Sequence, residues 1–342
     1  MTLGRAILYT GSKVGEMKAG VMADHTNATF NGNPGHNHKA SIFRLIEALN
    51  AGDFSLLDSL YAEGFSDFSG STFGEIKSTL MRQHAAFTHF RVTPTIIIAQ
   101  DDWVVWHVTY TGHFEQPIQQ SDEATIPPTH KPIRYTALIF SRFDPHGRIV
   151  EQRTTYNPMN YHLQLGILPP TLAATVLQPP ADVQPVGYEL LDRVALNATF
   201  TSGMEARNAE IFQESAEVPP PHRLADPCIR RVAGNVETVS SAQPDMTKVL
   251  EAAMPDAAHQ RNVTVAEGDW VAVHGTISGT FTEPIPTPTR TLQPTRERLT
   301  WDVGSLFRFD ADGMIVEGWA ELNPQTMLIG FGVVPAFELA AV

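Results

Sequence analysis

The chain has 342 residues, 42% of them hydrophobic and 18% charged, with a formal net charge of −13. That length allows two domains of ordinary size, each burying its own core, and the apolar content excludes a disordered chain. The acidic balance excludes a grip on phosphate backbones, which needs clustered Lys and Arg, so nucleic acid is not an expected partner.

Residues 1–20 hold no apolar run of signal-peptide length, and nowhere do eighteen apolar residues follow one another, so the expectation is a cytoplasmic protein without membrane contact. The single cysteine, Cys228, has no partner for an internal disulfide and no companions for a thiolate metal site, and reads as a structural thiol. Residues 1–37 are rich in Gly, Asn, His and Thr, lack a sustained period and read as a flexible arm. Gly35-His36-Asn37-His38 lies there, but no carboxylate or Cys stands at ligand spacing, so neither metal nor cofactor is expected.

From Ser41, the residues Ile42, Leu45, Ile46 and Leu49 fall on one helical face, ending at Asn50-Ala51-Gly52. Asp53 reads as the N-cap of a short second helix carrying Leu56, Leu57, Leu60 and Tyr61, and a third helix is predicted over 74–86. The period then changes to two, predicting strands over 91–99, 103–114, 133–143 and 149–156, with Asp144-Pro145-His146-Gly147 as a hairpin turn. Helices followed by an antiparallel meander give an α+β domain with the helices gathered on one face of the sheet. Residues 161–168 close it. Prolines punctuate a semi-rigid connector, 169–186. Beyond it a helix is predicted over 188–198, then strands over 262–266, 269–281, 297–309 and 314–322.

The second set of strands repeats the first. Trp103, His107, Gly112, Phe114 and Pro117 return as Trp270, His274, Gly279, Phe281 and Pro284 at one constant offset. Arg142-Phe143-Asp144, Gly147 and Glu151 return as Arg308-Phe309-Asp310, Gly313 and Glu317 at an offset shorter by one residue, as a single deletion in a loop would produce. A long period present twice means two whole domains, 38–168 and 187–342, the second with a less regular helical half.

Leu60 to Phe65 (Leu-Tyr-Ala-x-x-Phe), Gly112-x-Phe114, Phe143-Asp-x-x-Gly-x-Ile-Val-Glu151 and Gln164-Leu-Gly166, taken in this order, resemble the SnoaL-like polyketide cyclases of the NTF2-like superfamily. The resemblance implies a cone in which a curved sheet wraps around helices and encloses a small-molecule cavity. It also implies members that pair through their sheets, so the duplication would be an intramolecular pseudo-dimer; further pairing into a homodimer stays open. In the cyclases an acidic residue six positions after the Glu of the Ile-Val-Glu phrase serves as acid/base. Here those positions are Asn157 and Asn323, and the position of a frequent His is Gln152 or Gly318. A carboxamide exchanges no proton near neutral pH but can still orient a ligand.

Strand alternation puts Trp103, Val105, His107, Thr109 and Thr111 on one face of 103–114 and Val104, Trp106, Val108 and Tyr110 on the other. The second set is apolar in both copies and is assigned to the concave side, leaving His107 and His274 on the outer face where the two sheets meet. The first cavity is expected to be lined by Trp106, Val108 and Tyr110, with Tyr135 from the next strand and Arg153, Tyr156 or Asn157 from the last, and Asn157, Tyr110 and Tyr135 are the catalytic candidates. Trp319, Glu321 and Asn323 are the substrate-binding candidates of the second copy, Glu321 being either an acid with a raised pKa or a plain strand residue.

These residues and the resemblance lead to a cofactor-independent cyclase or isomerase acting on a hydrophobic polyketide- or terpenoid-like intermediate. With the carboxylate gone, one option is a pericyclic closure in which the protein holds a reactive conformer. Two alternatives stand beside it. One is a non-catalytic binding or scaffold protein; the other is an epoxide hydrolase or dehydratase, which would need Asp, His or Arg groups converging in one cavity.

Overall fold

The computed structural model describes residues 34–67, 69–119, 125–168, 204–214, 220–232, 235–239, 246–286 and 291–332. The connector 169–186, the helix expected over 188–198 and all but the last four residues of the arm 1–37 lie outside them. Those last four belong to helix α1 (Pro34–Ala51), which begins on a proline whose fixed φ suits a first helical turn. Ile42, Leu45, Ile46 and Leu49 are buried, each side chain contributing roughly 1.5–3 kcal/mol. Gly52 ends the helix at a φ of +68°, a conformation that costs a glycine nothing.

The first repeat continues with α2 (Leu57–Leu60), β1 (Tyr61–Asp67), α3 (Phe73–Ala86), β2 (Phe87–Gln100), β3 (Trp103–Phe114), the small hairpin β4 (Ile118–Gln119) and β5 (Thr125–Ile126), β6 (Pro132–Phe143), β7 (Ile149–Tyr156) and α4 (Pro158–Gln164). Tyr61 therefore opens a strand rather than ending a helix. Thr72 caps α3 in a reciprocal box with Glu75. The five-stranded sheet has the order β1-β7-β6-β3-β2, with β1 parallel to β7 and the other pairs antiparallel.

The second repeat holds α5 (Met204–Glu214), β8 (Leu224–Val232), β9 (Asn235–Val239), α6 (Met246–Ala253), β10 (Ala258–Glu267), β11 (Trp270–Thr280), the pair β12 (Ile285–Pro286) and β13 (Thr291–Leu292), β14 (Arg298–Phe309), β15 (Ile315–Leu322) and α7 (Pro324–Gly330). Its sheet has six strands in the order β10-β11-β14-β15-β8-β9, again with one parallel pair, β15 with β8. The architecture is α+β, two NTF2-like cones from one duplicated sequence.

The register separates two faces. On the concave face of the first sheet Val104, Trp106, Val108, Tyr110, Ala137 and Ile139 join the core that includes α1. On the convex face Ile98, Val105, Leu138 and Phe140 form one buried cluster with Val263, Val265, Ala272, Leu306 and Trp319 of the second repeat. The sheets therefore pack back to back, with His107 and His274 both buried between them. A pseudo-twofold relation is visible at the rim. Gln100 Oε1 accepts from the backbone N–H of Ala266 at 2.8 Å, and Glu267, the residue at the matching place, accepts from that of Ala99 at 2.8 Å.

Candidate functional site

A cavity of about 1000 Å3 is lined mostly by the first cone. Its floor is aromatic because β3, β6 and β7 pair Tyr110 with Tyr135 and Ala137 with Tyr156, placing all three tyrosines on the concave face. Tyr110 and Tyr135 stack with centroids 4.7 Å apart and planes 9° apart, and Tyr161 from α4 leans on Tyr135 at 4.8 Å. Ile76, Thr79, Leu80 and Gln83, on one stripe of α3, supply a wall, and Leu45 and Leu49 of α1 another. The mouth is polar: Asp67 Oδ1 accepts from the backbone of Ser71 at 2.6 Å and the hydroxyl of Ser69 at 2.8 Å, shaping the turn into α3.

Deeper in, a buried polar string crosses the sheet. Trp106 Nε1 donates to Ser141 Oγ at 3.1 Å, Gln152 Nε2 donates to the same oxygen at 3.2 Å, and Tyr61 Oη donates to Gln152 Oε1 at 3.5 Å. Tyr161 Oη accepts from Gln83 at 3.4 Å. Among the described residues the hydroxyls of Tyr110, Tyr135 and Tyr156 meet no hydrogen-bond partner. Burial pushes the pKa of all three above the ordinary phenol value, since an ion would lose its hydration there. Each is therefore a neutral O–H, able to donate, on a residue that lines the cavity.

Of the expected site residues, Trp106, Tyr110, Tyr135, Arg153 and Tyr156 line this cavity. Val108 shares their face but is packed in the core behind them. Asn157 has a different task from the orienting or catalytic one expected: its side chain accepts from the backbone N–H of Asn160 at 3.2 Å, the N-cap of α4. Arg153 reaches the cavity from another side. It lies one position off the inward parity of Gln152, Thr154 and Tyr156, on the convex face, paired with Glu151 at 2.8 Å, and lines the cavity from there. Trp319 and Glu321 share that outward parity and belong to the interface between the repeats. Trp319 stands under the guanidinium of Arg231 at 4.5 Å, and Glu321 accepts from Thr136 at 2.7 Å. Asn323 directly precedes α7, away from the first cavity.

Sequence reasoning missed Tyr61, Ser141, Gln152 and Tyr161. For the first three, alternation counted back from Tyr156 and Ile139 would have found Gln152 and Ser141, whereas Tyr61 was assigned to a helix.

The second repeat does not reproduce the polar floor. Where the first has Tyr61, Trp106, Ser141 and Gln152, the second has Leu224, Val273, Phe307 and Gly318, and the places of Tyr110, Tyr135 and Tyr156 hold Ile277, Trp301 and Leu322. Phe307 stacks on Phe212 at 5.1 Å and crowds Gly318, whose Cβ would lie 3.1 Å from its ring.

A curved sheet wrapped around helices, present twice, is the NTF2-like fold. The model of the SnoaL-like polyketide cyclase family matches residues 41–165 and again 192–329, well over half of the chain, and the chain belongs to that family. Among solved structures it is similar to AclR from Streptomyces galilaeus (24% identity, 40% of this chain and 83% of the other, TM-score 0.31). It is also similar to TsrD from Streptomyces laurentii (16%, 39% and 97%, TM-score 0.35) and to a SnoaL-like polyketide cyclase from Agrobacterium tumefaciens (12%, 38% and 98%, TM-score 0.31). No curated protein matches the chain significantly.

Proposed function

We propose that the protein is a cyclase or isomerase of small-molecule biosynthesis and that the first cone is its reaction chamber. Family membership supports a role of the cyclase and isomerase type. The observation that carries the reading is the group of three tyrosine hydroxyls, protonated, unpartnered and borne on residues that line a cavity large enough for a multi-ring ligand. A ketone or ester oxygen that gains charge as a ring closes or a double bond shifts would accept from them, and such donors are already oriented before reaction. The substrate class that suits the cup is an extended, carbonyl-bearing hydrophobic intermediate of polyketide or terpenoid type.

The test is to incubate candidate linear polyketide and polyene precursors with the protein and follow product. Turnover that falls in Tyr110→Phe and Tyr135→Phe supports the reading. Rates equal to buffer, with stoichiometric return of unaltered ligand, would instead favour a carrier, the reading suggested by the amides at Asn157 and Asn323.

A further inference from the structure

The cavity of the first repeat does not end within the first repeat. The pairing of β1 with β7 stops at Asp67 opposite Gln152, so the strand from Arg153 to Tyr156 is an uncovered edge. Past that edge the cavity wall continues onto His274 and Asp302 of the second repeat. Gly304 makes this close approach feasible. A Cβ there would lie 2.2 Å from Thr155 Oγ1, so only a glycine lets β14 pack this tightly on β7, and Asp302 stands two residues along on the same face.

Asp302 is held by a half-buried polar relay. Thr276 Oγ1 donates to Asp302 Oδ1 at 2.7 Å, Asn262 Nδ2 donates to Thr276 Oγ1 at 2.8 Å, and the same amide lies 3.3 Å from His274 Nδ1. Among the described residues Asp302 Oδ2 has no hydrogen-bond partner, which leaves one carboxylate oxygen free at the cavity wall. Arg153 and Glu151 of β7 are the other charged groups facing this cluster.

We infer that the second repeat completes the first repeat's reaction site, with Asp302 as the proton acceptor that the Asn157 position does not supply. The inference rests on the first cone being the reaction chamber and assigns its chemistry to proton transfer. Asp302 Oδ2 takes a proton from a carbon next to a carbonyl, and the C–H electron pair moves to form an enolate whose oxygen accepts from a tyrosine hydroxyl. The enolate carbon then either regains the proton at a conjugated position, an isomerisation, or bonds to a second carbonyl carbon, whose oxygen takes the proton back from Asp302, a ring closure. The duplication thus has a catalytic reason: one repeat is the cup and the other brings its base.

A flat aromatic probe tests this without the natural substrate. In 5-nitrobenzisoxazole a base removes the ring C–H proton, the electron pair forms a nitrile, and the N–O bond breaks to a coloured phenolate. The full-length protein should catalyse this above buffer, and Asp302→Asn should lower the rate roughly 100-fold, the usual worth of a positioned base. Binding of the unreactive analogue 6-nitrobenzotriazole, followed by tyrosine and tryptophan fluorescence, should persist in Asp302→Asn, weakened by roughly 10-fold at most because the amide oxygen can still accept from the ring N–H, and this also shows that the variant is folded. Loss of the reaction in Asp67→Asn or Glu75→Gln at the mouth, with Asp302→Asn still active, overturns the assignment of the base while leaving the chamber intact. An analogue that binds and is never turned over also overturns it. Failure of the analogue to bind overturns the chamber itself.

Discussion

His107 Nε2 of the first repeat stands 3.3 Å from Glu321 Oε1 of the second, and both side chains are almost fully buried between the sheets. The same carboxylate oxygen accepts from Thr136, so one side chain of β15 ties two strands of the other repeat. The matching place in the first repeat holds Thr155, whose hydroxyl donates to Leu138 O at 3.2 Å, so the contact is one-sided across the pseudo-twofold. Removing one member of a buried pair strands the other, at a cost of roughly 3–5 kcal/mol. Glu321→Ala should therefore lower stability by about that amount. A double-mutant cycle with His107→Ala, read by denaturant unfolding, should give a coupling of about 1–3 kcal/mol. Additive losses would show that the two side chains do not interact.

Tyr110→Phe and Tyr135→Phe remove hydroxyls that the folded protein leaves unpaired, so thermal unfolding should barely change. If those hydroxyls donate to charge that develops in the transition state, turnover should fall by roughly 10- to 100-fold for each. Measuring melting temperature and rate on the same preparations separates the two effects. A large stability loss with unchanged turnover would make the tyrosines plain packing.

Asn157→Ala should cost about 1 kcal/mol through loss of the α4 cap, and Asn157→Asp should cost less because an aspartate caps equally well. Turnover per folded molecule should stay near that of the parent in both. A drop of 100-fold or so with intact stability would return Asn157 to the catalytic group.

Burial lowers the pKa of His162, and of His274 against the opposing pull of Asp302, each from 6.5 to about 4. The unfolded chain then binds more protons than the native one between those values. The stability contributed by keeping each imidazole neutral is complete above pH 6.5 and is lost as pH falls toward 4. For His162 it amounts to something on the order of 3 kcal/mol. Denaturant melts across this window should show the decline, and His162→Phe should flatten part of it. A profile in which His162→Phe runs parallel to the parent would refute the assignment.

The fold was legible because repeated features carry positional information: the constant offset from Trp103 to Trp270 marks two domains, and alternation along β3 puts Trp106 and Tyr110 inside and His107 outside without any coordinates. The site was legible only as far as that alternation could be anchored. On the last strand, Arg153 and Tyr156 differ in parity and cannot both face inward; the register of β7 on β6, with its irregularity between Arg142 and Phe143, decides for Tyr156. The same shift sends Trp319 and Glu321 to the interface. Asn157 misled because a residue at a strand end that precedes a proline serves equally well as ligand or cap, and the sequence alone does not distinguish them. The reach of Asp302 into the other repeat's cavity depends on how two sheets pack, which no local pattern encodes.

The central claim is that the first cone, and not the second, receives the small molecule. A crystal structure with 6-nitrobenzotriazole bound tests it most directly. The expected result is the ring in the first cavity, with a heteroatom within hydrogen-bond distance of the Tyr110, Tyr135 or Tyr156 hydroxyl. A ligand seated in the second repeat, or a first cavity closed by its own side chains with the analogue absent, would contradict it.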